Sequence, residues 1–163
     1  MFTTPIHHVA FVTRDLEKAL SFWRDTLGWK VIMDEELAGP EIENLIGLSG
    51  VKARTVMLQQ ADKVFTGMIE IIEFSSPPGK PFPADEKFND IGLRLLSFNV
   101  ADIDAAYEEL KKKGCRFHSP PQRLNLAGFP TKAAIFREPV DGFQVEIVQY
   151  LGMPERLKKK EQG

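Results

Sequence analysis

Along the chain, short runs of β-branched and aromatic residues alternate with two stretches whose apolar positions recur at helical spacing. Residues 6–12, Ile-His-His-Val-Ala-Phe-Val, read as a strand buried on both faces. From Asp15, a good N-cap, to Leu27, the positions Leu16, Ala19, Leu20, Trp23 and Leu27 form one stripe of a 3.6-residue helix. Gly28 then stands where a left-handed C-cap is wanted. Strand-like runs follow at 29–34, 53–59 and 68–74, before the proline-rich stretch 77–83 breaks the pattern. The same order then returns. Residues 93–100 are strand-like, Asp102 caps a second helix with Ile103, Ala106, Tyr107 and Leu110 on one stripe, and Gly114 ends it. Strand-like runs at 115–118, 132–137 and 143–150 complete the second half, with Glu-Pro-Val-Asp-Gly at 138–142 as turn chemistry. Segments 35–50 and 119–130 carry no readable motif and are expected to be pocket-lining loops.

The halves overlay in register. Phe11 falls on Phe98, Asp15 on Asp102, Leu16 on Ile103 and Ala19 on Ala106, all at an offset of 87 residues. The closing run Ile69-Glu70-Ile71-Ile72-Glu73-Phe74 resembles Val145-Glu146-Ile147-Val148-Gln149-Tyr150 at an offset of 76. An internal duplication explains both. The predicted fold is α+β: two tandem βαβββ modules, about 6–76 and 90–150, forming a cupped mixed sheet with the helices outside.

With 163 residues, 43% hydrophobic and 27% charged, the chain can bury a core without staples. A net charge of −2 gives no basic field to gather nucleic acid. The runs Lys111-Lys112-Lys113 and Lys158-Lys159-Lys160 have no aromatic platform beside them; the first reads as an exposed helix end, the second as part of a basic tail, 156–163. The single cysteine, Cys115, excludes a disulfide framework and any cysteine-cluster metal site, and reads as a small core residue. No apolar run approaches a membrane span, and Met1–Pro5 shows no secretory signal, so a cytoplasmic location is expected.

The run His8-Val9-Ala10-Phe11-Val12-Thr13-Arg14-Asp15-Leu16-Glu17-Lys18-Ala19, with Phe22-Trp23 and Leu27-Gly28, resembles the opening of the glyoxalase / vicinal-oxygen-chelate superfamily. Ile69-Glu70-Ile71 and the run Glu138–Ile147 resemble its module-closing strands, so the likeness extends from residue 6 to about 150. It implies one domain over 1–155 whose paired modules curl into a half-barrel around a divalent metal. It also implies a homodimer acting on a small molecule. The family holds lyases, isomerases and epimerases, extradiol dioxygenases, and metal-free binding proteins of the bleomycin-resistance kind. Its ligand positions fall here on His8, Glu70 and Glu146, and the remaining one on Leu95, which cannot coordinate. Iron–oxygen chemistry on a two-histidine, one-carboxylate triad is thereby disfavoured. One imidazole and two carboxylates suit Mg²⁺, Mn²⁺, Zn²⁺ or Fe²⁺, and a metal-free cavity is the alternative.

Read as residues, His8 shares a strand face with Ala10 and Val12, while His7 points to the other face in a structural role. Glu70 and Glu146 each stand inside an apolar strand, where an unpaired charge costs on the order of several kcal/mol. Either is a metal ligand or a general base that removes a proton next to a carbonyl. Leu95 is then a cavity wall, Arg94 faces away from the cavity, and His118 is a further candidate for its lining. The leading expectation is a glyoxalase-type lyase, isomerase or epimerase working by metal-assisted proton transfer; the alternative is a metal-free small-molecule-binding protein.

Overall fold

The computed structural model describes residues 6–60, 67–83, 85–126 and 129–152; the basic tail lies outside them. The chain divides into two compact units, Met1–Pro81 and Phe82–Gly163, each carrying one module. The first unit contains β1 (His8–Val12), α1 (Leu16–Leu20), β2 (Lys30–Ala38), α2 (Pro40–Ile46), β3 (Lys52–Gln59) and β4 (Met68–Ser76). The second contains β5 (Leu95–Asn99), α3 (Ile103–Lys112), β6 (Arg116–Phe117), β7 (Gln122–Leu126), β8 (Phe129–Arg137) and β9 (Gln144–Tyr150). Each unit has its own open mixed sheet, in the order β1-β4-β3-β2 and β5-β9-β8-β6, with β7 also paired to β8.

The registers reproduce the overlay read from the sequence. β1 runs parallel to β4 with His8 opposite Met68 and Ala10 opposite Glu70. β5 runs parallel to β9 with Leu95 opposite Gln144 and Ser97 opposite Glu146, the same offsets of 87 and 76 residues. Beyond the strands, the Thr13 amide donates to the Ile72 carbonyl and the Val100 amide to that of Val148, again equivalent positions.

α1 and α3 are started by the expected aspartates. Asp15 accepts from the Lys18 amide at 3.0 Å, and Asp102 from the Asp104 and Ala105 amides, each at 3.0 Å. Gly28 and Gly114 follow with φ of 75° and 91°, a backbone only glycine adopts without strain. The first helix is not α-helical throughout. Ser21–Thr26 is a π-helical stretch, with the Leu27 amide reaching back to the Phe22 carbonyl. This wider turn carries Phe22 and Trp23 into the core, where the Trp23 ring lies 5.7 Å from Phe11 and 5.9 Å from Trp29. In the second unit Tyr107, Phe117 and Phe136 stack at 4.6 and 5.0 Å between α3 and the sheet.

One ion pair between helix and sheet is also duplicated. Arg54 on β3 donates to Glu17 at 2.7 Å, and its register equivalent Lys132 on β8 donates to Asp104, the equivalent of Glu17, at 2.6 Å. Arg54 also binds Asp34 on β2, and these two carboxylates hold its guanidinium pKa well above the usual range.

Three expectations are corrected. β1 is not buried on both faces, since His8, Ala10 and Val12 are exposed while Val9 and Phe11 are half-buried. Segment 35–50 is not a loop: β2 runs to Ala38, and Pro40–Ile46 is helical, opened by Pro40 in its first turn and closed by Gly47. Segment 119–130 forms β7 and the start of β8. Both pieces escaped the pattern because no residue of α2 is buried and β7 is an exposed edge strand.

The turn between β8 and β9 is built on Glu138, 2% exposed, whose Oε2 accepts the amides of Val140 at 2.9 Å and Asp141 at 2.6 Å. Burial pushes its carboxyl above the usual range, in spite of these donors. The same burial, with the Glu138 charge nearby, pushes the Cys115 thiol up to about 11, as suits an inert core residue. A carboxyl with a raised pKa in the folded state contributes stability that is complete below its unfolded pKa. That contribution is lost as pH rises through the folded value. Glu138→Gln, which keeps an acceptor for the turn amides and cannot ionise, is therefore expected to gain stability relative to the parent as pH rises from 4 to 8. Denaturant unfolding of both proteins across that range checks it.

Candidate functional site

On the face of the first sheet opposite α1, the parallel register of β1 and β4 brings His8 beside Glu70. The His8 Nε2 and Glu70 Oε2 atoms lie 3.3 Å apart, with the side chains 36% and 16% exposed. From β3, the Thr55 hydroxyl donates to Glu70 Oε1 at 2.7 Å, so both carboxylate oxygens are oriented by neighbours. His7 is not turned away as expected: its Nδ1 lies 2.8 Å from Nδ1 of His8, so both nitrogens of the His8 ring are engaged. His7 precedes the first residue of β1, so strand alternation does not govern it.

The second unit repeats the carboxylate and changes its partner. Glu146 occupies on β9 the place of Glu70 on β4, and its Oε2 accepts from the Ser97 hydroxyl at 2.5 Å. Ser97 is the register equivalent of Ala10, and Leu95 stands where the first unit has His8. At the place of Thr55 on the neighbouring strand is Ala133, which has no hydroxyl. Among the described residues Ser97 is thus the one hydrogen-bond donor to Glu146.

Beside Glu146 on the same face of the second sheet is a cavity of about 400 Å³. Its floor is Ile135, paired directly with Glu146, and its walls include Phe88, His118, Arg137 and Gln144. Glu86, almost fully buried, anchors one wall: its carboxylate pairs with Arg94 and lies 3.4 Å from Gln144 Nε2. His118 Nε2 lies 3.1 Å from Gln144 Oε1. Arg94 therefore serves the cavity through Glu86; it precedes β5, so the strand alternation assumed for it does not apply.

Donor chemistry decides what metal could be held. The His8–Glu70 pair offers one imidazole and one carboxylate with atoms converging on one spot, a combination suited to a divalent ion. The remaining expected donor, Glu146, belongs to the other unit. Among the described residues no group of three or more His, Cys, Asp or Glu side chains is gathered for a metal. Sequence reasoning missed Thr55, Ser97, Glu86 and Gln144. Ser97 was within reach, since the offset of 87 sets it on Ala10, whereas nothing in the sequence near Glu86 announces a buried carboxylate.

The sequence pattern of the Glyoxalase/Bleomycin resistance protein/Dioxygenase superfamily matches residues 5–147. The chain belongs to this superfamily. Mouse mitochondrial methylmalonyl-CoA epimerase is 30% identical over 149 residues, covering 88% of this chain and 72% of that protein. A 2-epi-5-epi-valiolone epimerase from Actinomyces sp is 22% identical over 147 residues, covering 88% and 78%. Among solved structures, a glyoxalase family protein from Bacillus cereus superimposes with a TM-score of 0.79 at 21% identity, covering 93% of this chain and 97% of its own. The superfamily relatives thus include epimerases and glyoxalase-like proteins.

The cavity wall fixes a tautomer. The Glu86 carboxylate only accepts, so Gln144 turns its Nε2 to Glu86 and its oxygen to His118, and His118 must donate from Nε2. Neutral His118 is expected as the Nε2–H form. Glu86→Gln, which can also donate, should allow a mixture. Ring nitrogen shifts in ¹⁵N NMR of both proteins distinguish the two.

Proposed function

We propose that the chain catalyses proton transfer next to a carbonyl of a small molecule, as an epimerase or isomerase of the glyoxalase type. One observation carries the reading: the two glutamates at equivalent register positions on β4 and β9, each with a polar side chain of its module's first strand beside it, His8 at 3.3 Å and Ser97 at 2.5 Å. The epimerase names of two relatives support it. Ser97 holds Glu146 Oε2, which leaves Oε1 as the oxygen that takes the proton. The C–H bond breaks, its electron pair moves to the carbonyl oxygen, and the resulting enolate is reprotonated at the same carbon; return to the opposite face inverts the centre. Glu70, beside His8 and accepting from Thr55, is the equivalent carboxylate of the first unit. A divalent ion would be held in the first unit by His8 and Glu70, and would supply Lewis-acid polarisation of a bound oxygen there. We place this activity in a cytoplasmic homodimer.

Leu95 favours a second reading, a metal-free binding protein, because the first unit's imidazole position is apolar in the second. The test is deuterium incorporation from D₂O into a panel of α-branched acyl thioesters and α-hydroxy ketones, followed by NMR. The parent is expected to exchange the α-proton of at least one compound, and Glu146→Gln to slow it by about 10²–10⁴-fold. Absence of exchange across the panel, or exchange unaltered by that substitution, overturns the reading.

Metal binding is checked by thermal melts. An ion that binds only the folded chain adds about 2.7 kcal/mol at 100 times its Kd, so excess Mn²⁺, Zn²⁺, Mg²⁺ or Fe²⁺ should raise Tm above a chelator control. No shift with any of them favours the binding-protein reading. Leu95→His should tighten Zn²⁺ binding in a calorimetric titration, because an imidazole replaces an apolar wall.

A further inference from the structure

We propose that the cavity of the second unit anchors the non-reacting end of the substrate, and that this substrate is a small monocarboxylate with an apolar or aromatic body. The proposal rests on the reading of Glu146 as the proton-transfer group: Ile135, the cavity floor, is paired with Glu146, so a ligand seated on Ile135 extends along the sheet toward that carboxylate.

The ligand class follows from which groups are already committed. Arg137 spends Nη1 on the Gly142 carbonyl and Nη2 on the Glu86 carbonyl, both at 2.8 Å. Gln144 is used at both ends of its amide, and the Glu86 carboxylate is taken by Arg94. A nearby carboxylate, Asp90, accepts the backbone amide of Lys87 at 2.7 Å. Lys87 remains: it is exposed, belongs to the cavity lining, and its ammonium makes no ion pair among the described residues. With it remain the apolar surfaces of Phe88 and Ile135.

One uncommitted cation beside two apolar surfaces is the complement of an apolar body carrying one negative charge. A single ammonium matches a single negative charge, whereas a phosphate or a dicarboxylate would bring a further charge beside the buried Glu86 carboxylate, to which Arg94 and Arg137 are already paired. A volume of about 400 Å³ lies within the range of small-molecule sites, roughly 300–1,000 Å³.

The experiment titrates the full ¹⁵N-labelled chain with phenylacetate and with its neutral isostere phenylacetamide. Phenylacetate is expected to shift the backbone amides of Phe88 and Ile135 and the side-chain amide of Gln144, and to bind about 3- to 5-fold more tightly than the amide, the size of a part-exposed ion pair. Lys87→Gln should abolish that difference, and Phe88→Ala should weaken both probes; both residues are exposed, so the variants are expected to fold, as an unchanged Tm verifies. Shifts that avoid these residues, equal affinities for the two probes, or a difference that survives Lys87→Gln overturn the proposal. Binding is read without turnover. Phenylacetate bound at the cavity by a protein that exchanges no α-proton would overturn the proton-transfer reading and leave the anchor standing.

Discussion

Everything at the candidate site depends on the parallel pairing of the first and last strand of each module. Parallel neighbours cannot be joined by a tight turn; the chain must leave the sheet and return, and here a helix begins that return on one face. Under α1 lie Phe11, Val56, Leu58, Ile69 and Ile71, and under α3 lie Ala134, Phe136, Val145 and Ile147, all apolar. Burial there, at about 25 cal/mol per Å² of apolar surface, is what holds the register. A slip of one residue would turn the glutamates under the helices and the isoleucines out. The position of Glu70 and Glu146 on the opposite face is thus enforced by the hydrophobic effect acting on their neighbours.

A carboxylate within a strand must then find partners, and the two modules answer differently. In the first, Ala10 directly opposite Glu70 offers nothing; His8 approaches from the diagonal position and Thr55 donates from the other side. In the second, the diagonal position is Leu95, and the directly opposite residue has become Ser97. Loss of the imidazole and gain of the hydroxyl are two halves of one change. Each leaves its glutamate with a polar neighbour on the first strand and a hydroxyl donor, Thr55 for Glu70 and Ser97 for Glu146, which offsets desolvation of a charge.

The modules, their offsets and the helix caps were legible because each follows from short-range rules: periodicity, capping chemistry and a repeat that doubles every signal. His8, Glu70 and Glu146 were legible as charged or polar residues inside apolar strands. What was not legible has a common physical character. The π-helical turn at Ser21–Thr26 keeps the α-helical apolar stripe and differs only in its backbone hydrogen bonds. α2 buries no side chain, and β7 lies at an exposed edge, so neither needs the periodic apolar face that reveals an element. Glu86 reaches its partners Arg94 and Gln144 through a segment between strands, where no periodicity says which side chains turn inward.

Comparison of the halves separates what the fold requires from what the site requires. Beneath the helices the equivalent pairs Val9 and Leu96, Phe11 and Phe98, Ile69 and Val145, Ile71 and Ile147, Val56 and Ala134 are apolar in both modules. On the opposite face chemistry has drifted freely: His8 against Leu95, Ala10 against Ser97, Val12 against Asn99, Met68 against Gln144, Thr55 against Ala133. The first set is uniformly apolar; the second is not, although Met68, Thr55, Ala133 and Gln144 are themselves buried. Against that drift, Glu70 and Glu146 are the same residue. An acidic side chain on a half-buried strand is a cost to folding, and stability alone would have let either become neutral. Glutamate at both equivalent positions, where the neighbours on that face differ between the modules, is what the proposed proton-transfer role rests on. The same difference shapes the cavity wall of the second unit: Gln144 in the place of Met68 supplies the amide that joins His118 to Glu86, and a thioether at that position could not.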